Sequence, residues 1–408
     1  MFSRRVPAPA EVFTPTTLPL QEHNAYVHRS DAEAKIERYL SRGQVPLIYG
    51  EYGVGKTTVA RKVLRDRGFE PHMVYMPTTA SKSISDVIRL SLEHLGATVT
   101  VESVRSTSTE GGLSASFVVE LGGRVARTTQ DTERFVVDTL TDERALALFR
   151  DNELTIVIDE LHRASPEFRG GLADLIKASH GQEDRWPQIV LIGTSADATA
   201  LVRADAGIDR FVKELRLPTL TATEARALVT TGFTTLQIEI DDSIVELVVR
   251  TAAGAPSLLQ SVCLDMAESA VARSNADVSR EDYQSAVRNY LDENTGRLNA
   301  AYTKAIEHTG PKRYRKQILI AMSQLETEYP ELEEIRARIE ENLGERVEQT
   351  ALSGPLKSLK TGPDRVLVDV ERYEGGRVHN VSTFLDPMMK SFVRFITEAE
   401  AQGLLGPT

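Results

Sequence analysis

Apolar residues fall into two rhythms through the first half of the chain. Short, nearly continuous runs at Val45 to Tyr49, Met73 to Met76, Leu154 to Ile158 and Ile189 to Ile192 have the length of strands buried on both faces. Between them, apolar positions recur every three or four residues. That spacing predicts helices within Tyr26 to Leu40 and over Thr57 to Asp66, Ser83 to Leu95, Asp131 to Phe149 and Glu167 to Ser179. A further strand is read at Glu214 to Pro218. Strands alternating with helices predict a parallel α/β sheet.

From about Pro218 the rhythm becomes helical, with segments Thr221 to Thr230, Asp242 to Thr251, Ala255 to Ser274 and Ser279 to Leu291. Helices then follow at Arg313 to Leu325, Glu331 to Leu343 and Gln349 to Leu359. Two alternating strands come next, Arg365 to Glu371 and Val378 to Phe384, joined through Tyr373-Glu-Gly-Gly, and a last helix starts at Pro387. Three helices and a hairpin predict a winged helix-turn-helix.

Two stretches break the pattern. Residues 1–22 are rich in Pro and Thr without apolar period, which predicts a flexible arm. Residues of about 97–129 are Thr, Ser and Gly-rich around Val118-Val-Glu-Leu-Gly-Gly, which fits either an inserted β-hairpin with a Gly-Gly turn or a surface loop. The expected domains are therefore 1–22, 23–217 for the α/β domain with its insertion, 218–298 for a helical lid and 299–408 for the winged helix.

Composition narrows this picture. With 408 residues, 41% apolar and 26% charged, the chain is long enough for two or three packed domains. No run reaches the roughly 18 to 20 apolar residues of a membrane span, and the N-terminal residues lack the apolar segment of a signal peptide. A cytoplasmic location without membrane contact is expected. The single cysteine, Cys263, excludes an internal disulfide and a cysteine-rich zinc site, and its apolar neighbours predict a packed side chain. A net charge of −11 argues against general adhesion to nucleic acid while leaving room for a local basic surface.

The chemistry concentrates where the first buried strand ends. Gly50-Glu-Tyr-Gly53-Val54-Gly55-Lys56-Thr57-Thr58 has the spacing G-x-x-x-x-G-K-T between a strand and a helix, which predicts a nucleoside triphosphate site. Glycines let backbone N–H groups curl around phosphates, the helix turns its positive end to them, Lys56 reaches the β/γ-phosphates and the Thr57 hydroxyl suits Mg²⁺. Leu154-Thr-Ile-Val-Ile-Asp159-Glu160 ends a second buried strand in two carboxylates. Asp159 is the candidate for holding hydrated Mg²⁺, and Glu160 for orienting the attacking water. Thr194, after Val190-Leu-Ile-Gly, is either a γ-phosphate sensor, with Ser195 next to it, or a plain turn hydroxyl. Arg210, in Asp209-Arg-Phe, is either an arginine finger for a neighbouring subunit or a surface ion-pair residue.

Taken in order, Arg29, Gly50 to Thr58, Asp159-Glu160, Thr194, Arg210-Phe211 and Gly254-Ala-Pro256 resemble the AAA+ superfamily. The resemblance is strongest to its branch of initiator, transposition and STAND ATPases, and covers about residues 24–293. It implies a P-loop AAA+ parallel-sheet sandwich with a helical lid and C-terminal winged helix, binding ATP and Mg²⁺ and hydrolysing ATP. It also implies that Arg29 and Pro256 border the nucleotide. The lid stretch Gly254-Ala-Pro256-Ser257 has no basic residue where many AAA+ proteins carry an arginine, which implies slow or assembly-dependent hydrolysis. Asp159-Glu-Leu-His162 also spells a helicase box, but the remainder of the chain offers no second motor domain, and His162 reads as a helix-start residue.

Lys357 and Lys360 on the expected recognition helix, and Arg377 on the wing, are candidates for phosphate contacts with duplex DNA. Acidic residues between Glu326 and Glu348 leave the tail slightly negative, so a protein target stays open. Two functions follow. One is an ATP-dependent switch that forms homo-oligomers and contacts DNA, and the other a STAND-like signalling or defence ATPase that controls a separate effector protein.

Overall fold

The structure, a computed structural model, describes residues 5–15, 23–95, 97–101, 117–121, 142–180, 187–194, 201, 205–274, 277–294, 296–307, 314–327, 329–374 and 377–404. In chain order the first elements are α1 (Pro9–Val12), α2 (Ser30–Ser41), β1 (Val45–Tyr49), α3 (Lys56–Asp66), β2 (Met73–Pro77), α4 (Ile84–His94), β3 (Ala97–Val101), β4 (Phe117–Leu121), α5 (Asp142–Asp151), β5 (Thr155–Asp159), α6 (Pro166–Ser179), β6 (Gln188–Gly193) and β7 (Val212–Arg216). There follow α7 (Ala222–Thr235), α8 (Asp242–Ala252), α9 (Pro256–Ala272), α10 (Arg280–Asn289), α11 (Gly296–Ile306), α12 (Tyr314–Gln324), α13 (Leu332–Leu343), α14 (Gln349–Lys360), β8 (Leu367–Glu374), β9 (Arg377–Phe384) and α15 (Met388–Ala401). The chain folds into two compact units. One holds Ser30–Tyr49 and Val59–Arg216, the other Met1–Arg29, Gly50–Thr58 and Leu217–Thr408.

The first unit is built on a five-stranded sheet of order β2-β5-β6-β1-β7, every pair parallel. Burial along the strands explains their apolar runs. Interior β5 is buried at every residue, whereas edge strand β2 alternates, with Val74 and Met76 inward and Tyr75 and Pro77 outward. Helix α2 packs on β1 and β7, and α4 on β2. Leu47, Ile156, Ile158 and Leu191 meet Phe149, Phe168 and Leu172 in one apolar core. Register aligns the strand ends: Tyr49 lies opposite Gly193, and Pro77 opposite Asp159. All these carboxyl ends share one sheet edge, as parallel pairing requires.

Local differences from the sequence reading have simple causes. Strand β7 spans Val212–Arg216 rather than Glu214 to Pro218, since Val45 N–H already bonds the Phe211 carbonyl and pairing starts there. Of the helix expected over 131–149, residues 131–141 lie outside the described residues, as does Ser195. In the insertion, β4 pairs antiparallel with β3, which precedes it. Gly122 and Gly123, the expected turn, lie outside the described residues.

The second unit carries its own core, from Phe233, Val248, Leu259 and Met266 through Leu319 and Ile335 to Phe392 and Phe395. Cys263 is fully buried there, and burial pushes its thiol pKa up, as its apolar surroundings predict. Of the segment expected as a flexible arm, the described residues 12–14 are instead docked. Val12 and Phe13 are both buried, the Phe13 ring meets Phe233 at 5.2 Å, and Thr14 N–H bonds the Gln260 side-chain oxygen. Two isolated apolar side chains create no period, yet each fills a site in the core.

Helices α12, α13 and α14 pack on one another, and α14 on β8. Strands β8 and β9 pair antiparallel from Leu367 opposite Phe384 to Glu374 opposite Arg377; Gly375 and Gly376 lie outside the described residues. Helix α11 is an element the apolar pattern does not announce, and it buries Leu298, Tyr302 and Ala305. Helix α15 closes against α8 and α12. Its following residue Gln402 completes a hydrogen-bonded triangle with Thr251 and Tyr283, with separations of 2.6, 2.6 and 3.0 Å. Among the described residues, no helix is long and apolar enough to cross a membrane.

Candidate functional site

In the second unit, the loop Gly50–Thr58 has the backbone that its glycines predict. Gly50 has φ +152°, and a methyl group there would lie 2.3 Å from the Leu217 carbonyl oxygen. Gly53, at φ +77°, would place one 2.4 Å from Ser257 Oγ. Only glycine supplies both the positive φ and the close approach. Gly55 is also left-handed, at φ +89°, and Val54 between these glycines is buried.

Helix α3 then opens at Lys56 with no acidic residue in its first turn, so its partial positive end is left uncompensated by a side chain. Thr57 and Thr58 are half-buried on that turn. Lys56 Nζ donates to the carbonyls of Gly50 and Glu51, at 2.8 and 2.9 Å. A cradle that a side chain would fill, a helix N-terminus and a lysine together fit a phosphate chain.

Around this loop stand residues that the sequence pattern singles out and others it does not. Arg29 is buried and donates to the Pro218 carbonyl at 2.6 Å, with Nε 3.4 Å from Glu224. Pro256 is the first residue of α9, after left-handed Gly254 at φ +76°. The next residue, Ser257, sends its N–H to the Gly53 carbonyl at 3.4 Å. Glu51 was missed altogether: its carboxylate meets Lys390 and Arg394 of α15. A carboxylate between two glycines of a phosphate loop signals only that a negative charge stands there, and nothing local names its partner.

In the first unit, Asp159 ends β5 and is 4% exposed. Its Oδ1 accepts the Glu160 N–H at 2.7 Å, and its Oδ2 accepts the Tyr75 hydroxyl at 2.8 Å. Burial, followed by the Asp159 carboxylate beside it, raises the Tyr75 phenol above its ordinary range, so the phenol stays a donor. Thr78 donates its hydroxyl to the Asp159 and Glu160 carbonyls, at 2.9 and 2.6 Å. Glu160 itself is left-handed at φ 57°, a conformation that costs a non-glycine residue energy and turns the chain sharply at the strand end. His162 Nε2 lies 3.3 Å from Glu160 Oε2, in the short 3-10 turn Leu161–Arg163.

Mg²⁺ takes one or two protein carboxylates with water and phosphate oxygens, so a single oriented carboxylate fits it. No cluster of three ligating side chains exists among the described residues. Thr194 directly follows β6. Arg210 is exposed and stacks its guanidinium 4.4 Å from the centroid of Phe211, whose ring also meets His180.

The nucleic-acid candidates divide. Lys357 is exposed on α14, whereas Lys360 is paired at 2.5 Å with Asp369 of β8. Arg377 is the first residue of β9.

Comparison with known proteins adds a family. Residues 38–202 match the AAA domain. No protein of curated function matches the chain. Among solved structures, it is similar to Cdc6p from Pyrobaculum aerophilum, at 15% identity over 97% of this chain and 99% of that one, TM-score 0.47. It is also similar to a Walker-type ATPase of Pyrococcus abyssi, at 13% identity, 90% and 96% coverage and TM-score 0.49. A third is the Aeropyrum pernix ORC1 protein, solved in complex with DNA, at 19% identity, 97% and 98% coverage and TM-score 0.46. With the phosphate-loop chemistry of Gly50 to Thr58, the family match identifies residues 38–202 as an AAA domain.

Proposed function

We propose that this chain is an Mg-ATP-dependent assembly switch that hydrolyses ATP slowly or only when assembled. The observation that carries the reading is the loop Gly50–Thr58, whose Gly50 and Gly53 leave no room for a side chain and which leads into an acid-free helix start with Lys56. In this reading Lys56 and the loop N–H groups bind the β- and γ-phosphates. Thr57, by its hydroxyl, and Asp159, by its carboxylate, are each candidates that would hold Mg²⁺, which would neutralise phosphate charge when bound. Glu160 orients the attacking water and accepts its proton, and Thr194 senses the γ-phosphate. Arg29 and Pro256 border the nucleoside. Arg210, exposed and with its guanidinium over the Phe211 ring, is presented as a finger for a second copy of the chain.

Helices α12 to α14 with β8 and β9 are read as a winged helix. Lys357 on its third helix, with Lys360 and Arg377, would face duplex phosphates. A second reading, control of a separate effector protein, is favoured by the engagement of Lys360 with Asp369, which leaves less free positive charge on that face. A cytoplasmic location suits both.

Duplex binding measured with ATP, ADP or no nucleotide at two salt concentrations, alongside light scattering for assembly, separates the readings. The switch predicts assembly with ATP, and the DNA arm predicts ATP-strengthened duplex binding. Replacing Lys357, Lys360 and Arg377 by alanine should lower the salt slope by roughly one per lost contact. Assembly with ATP but no duplex binding at low salt discards the DNA arm and leaves the effector reading.

A further inference from the structure

Glu51 is the second residue of the phosphate loop, and its carboxylate is nearly out of water, with a side chain 10% exposed. Lys390 Nζ lies 2.7 Å from its Oε1, and the Arg394 guanidinium grips both oxygens, at 2.8 and 3.0 Å. The two cations are also mostly buried, with 5% and 14% of their side chains exposed. Their four-residue spacing puts them on one face of α15. Each is anchored a second time. Lys390 donates to the Thr327 carbonyl at 2.9 Å, and Arg394 Nε to the Ser323 carbonyl at the end of α12. Arg394 is thus fixed at a planar fork rather than tethered at a point.

We infer that Lys390 and Arg394 are positioning residues of the nucleotide site, acting through Glu51 to hold the phosphate loop in its binding shape and to cancel a carboxylate that would repel phosphate. The inference rests on the phosphate-loop reading above. Glu51 joins both contacts: its carbonyl accepts from Lys56 Nζ, and its side chain takes the cations of α15. The two cations offset the Glu51 carboxylate. Without the cations, a buried unpaired charge stands in the loop and disfavours both its conformation and an incoming anion. The nucleotide site thereby depends on a helix more than three hundred residues further along the chain.

The test is ADP and ATP affinity by titration calorimetry on the full chain, for the parent, Glu51→Gln, the pair Lys390→Gln with Arg394→Gln, and all three changes together. The paired change should weaken nucleotide binding roughly tenfold or more, and adding Glu51→Gln should recover most of that loss, since it removes the stranded charge. A merely structural role for α15 gives loss without recovery, and overturns the inference. So does a pair variant that binds as the parent does. Lys56→Ala, measured alongside, separates the two claims: if it loses binding while the pair variant does not, only the present inference fails. If the parent binds neither nucleotide, the phosphate-loop reading fails and takes this inference with it. Arg394→Lys keeps the charge with fewer donors, and is expected to bind between parent and pair variant in a chain whose thermal midpoint shows it folded.

Discussion

The Tyr75 hydroxyl on edge strand β2 donates to Oδ2 of Asp159 at the tip of the neighbouring strand β5, across a register that sets Pro77 opposite Asp159. Strand alternation turns Tyr75 outward between buried Val74 and Met76, and the phenol fixes one carboxylate oxygen while the Glu160 N–H fixes the other. Tyr75→Phe should therefore slow Mg-dependent hydrolysis by roughly tenfold, the worth of one charge-assisted hydrogen bond. The raised phenol pKa means that the proton is held tightly. The contribution is present below the ordinary tyrosine range and is lost only as pH rises through the raised value. The ratio of parent to Tyr75→Phe rates should stay constant from neutral pH to about 9. A ratio that collapses in that window contradicts the assigned hydrogen bond.

Gly53→Ala tests the loop itself. An alanine there meets Ser257 Oγ and must hold a left-handed φ, which costs an L-residue about 1 to 2 kcal/mol. Nucleotide affinity should fall, and Ser257→Ala in the same chain should restore the part due to the collision but not the part due to backbone strain. Full recovery would mean that the left-handed conformation at residue 53 does not matter.

For Arg210 the expected outcome involves two copies of the chain. Arg210→Ala and Lys56→Ala should each be inactive, and their mixture should regain hydrolysis, because an intact loop in one copy meets an intact finger from another. Steady-state phosphate release on mixing is the readout. Absence of any recovery, with assembly verified, assigns Arg210 to its stacking on Phe211 alone.

Tyr302 is fully buried, and its hydroxyl has no hydrogen-bond partner among the described residues. Removing that oxygen leaves the ring and its edge-on contact with Phe392 in place. Tyr302→Phe should therefore stabilise the chain by about 1 kcal/mol, read as a higher denaturation midpoint. Burial raises the phenol pKa, with Glu400 adding to the shift, so alkaline unfolding should also lessen in the variant above pH 10. A lower midpoint would mean that the hydroxyl is satisfied in solution.

The sheet strands and the phosphate loop were legible because their signals are local. Val45 to Tyr49 and Leu154 to Ile158 are almost wholly apolar, as burial on both faces of an interior strand favours. The starts of these helices fell within a residue for the same reason: Ser83, Thr221 and Ser279 are N-caps with an acidic partner three residues on, whereas the helix expected over Thr221 to Thr230 runs on to Thr235. What escaped is non-local. Val12 and Phe13 sit in a Pro and Thr-rich segment without period, and their burial is decided by Phe233 and Gln260, far along the chain. Tyr75 and Thr78 belong to no motif, and only the pairing of β2 with β5 brings them to Asp159. The Glu51 pair with Arg394 spans 343 positions, a separation at which sequence pattern carries no information.

The central claim, that the Gly50 to Thr58 loop and the Asp159-Glu160 strand end bind and hydrolyse ATP, is tested most directly by following bound ATP in the parent, Lys56→Ala and Glu160→Gln chains under assembling conditions. Lys56→Ala should lose tight binding with its fold intact, since its ammonium bonds loop carbonyls rather than the core. Glu160→Gln should bind ATP as the parent does and retain it, with turnover reduced by about two orders of magnitude or more when the water-orienting carboxylate is gone. Parental affinity in Lys56→Ala, or parental turnover in Glu160→Gln, would contradict the account.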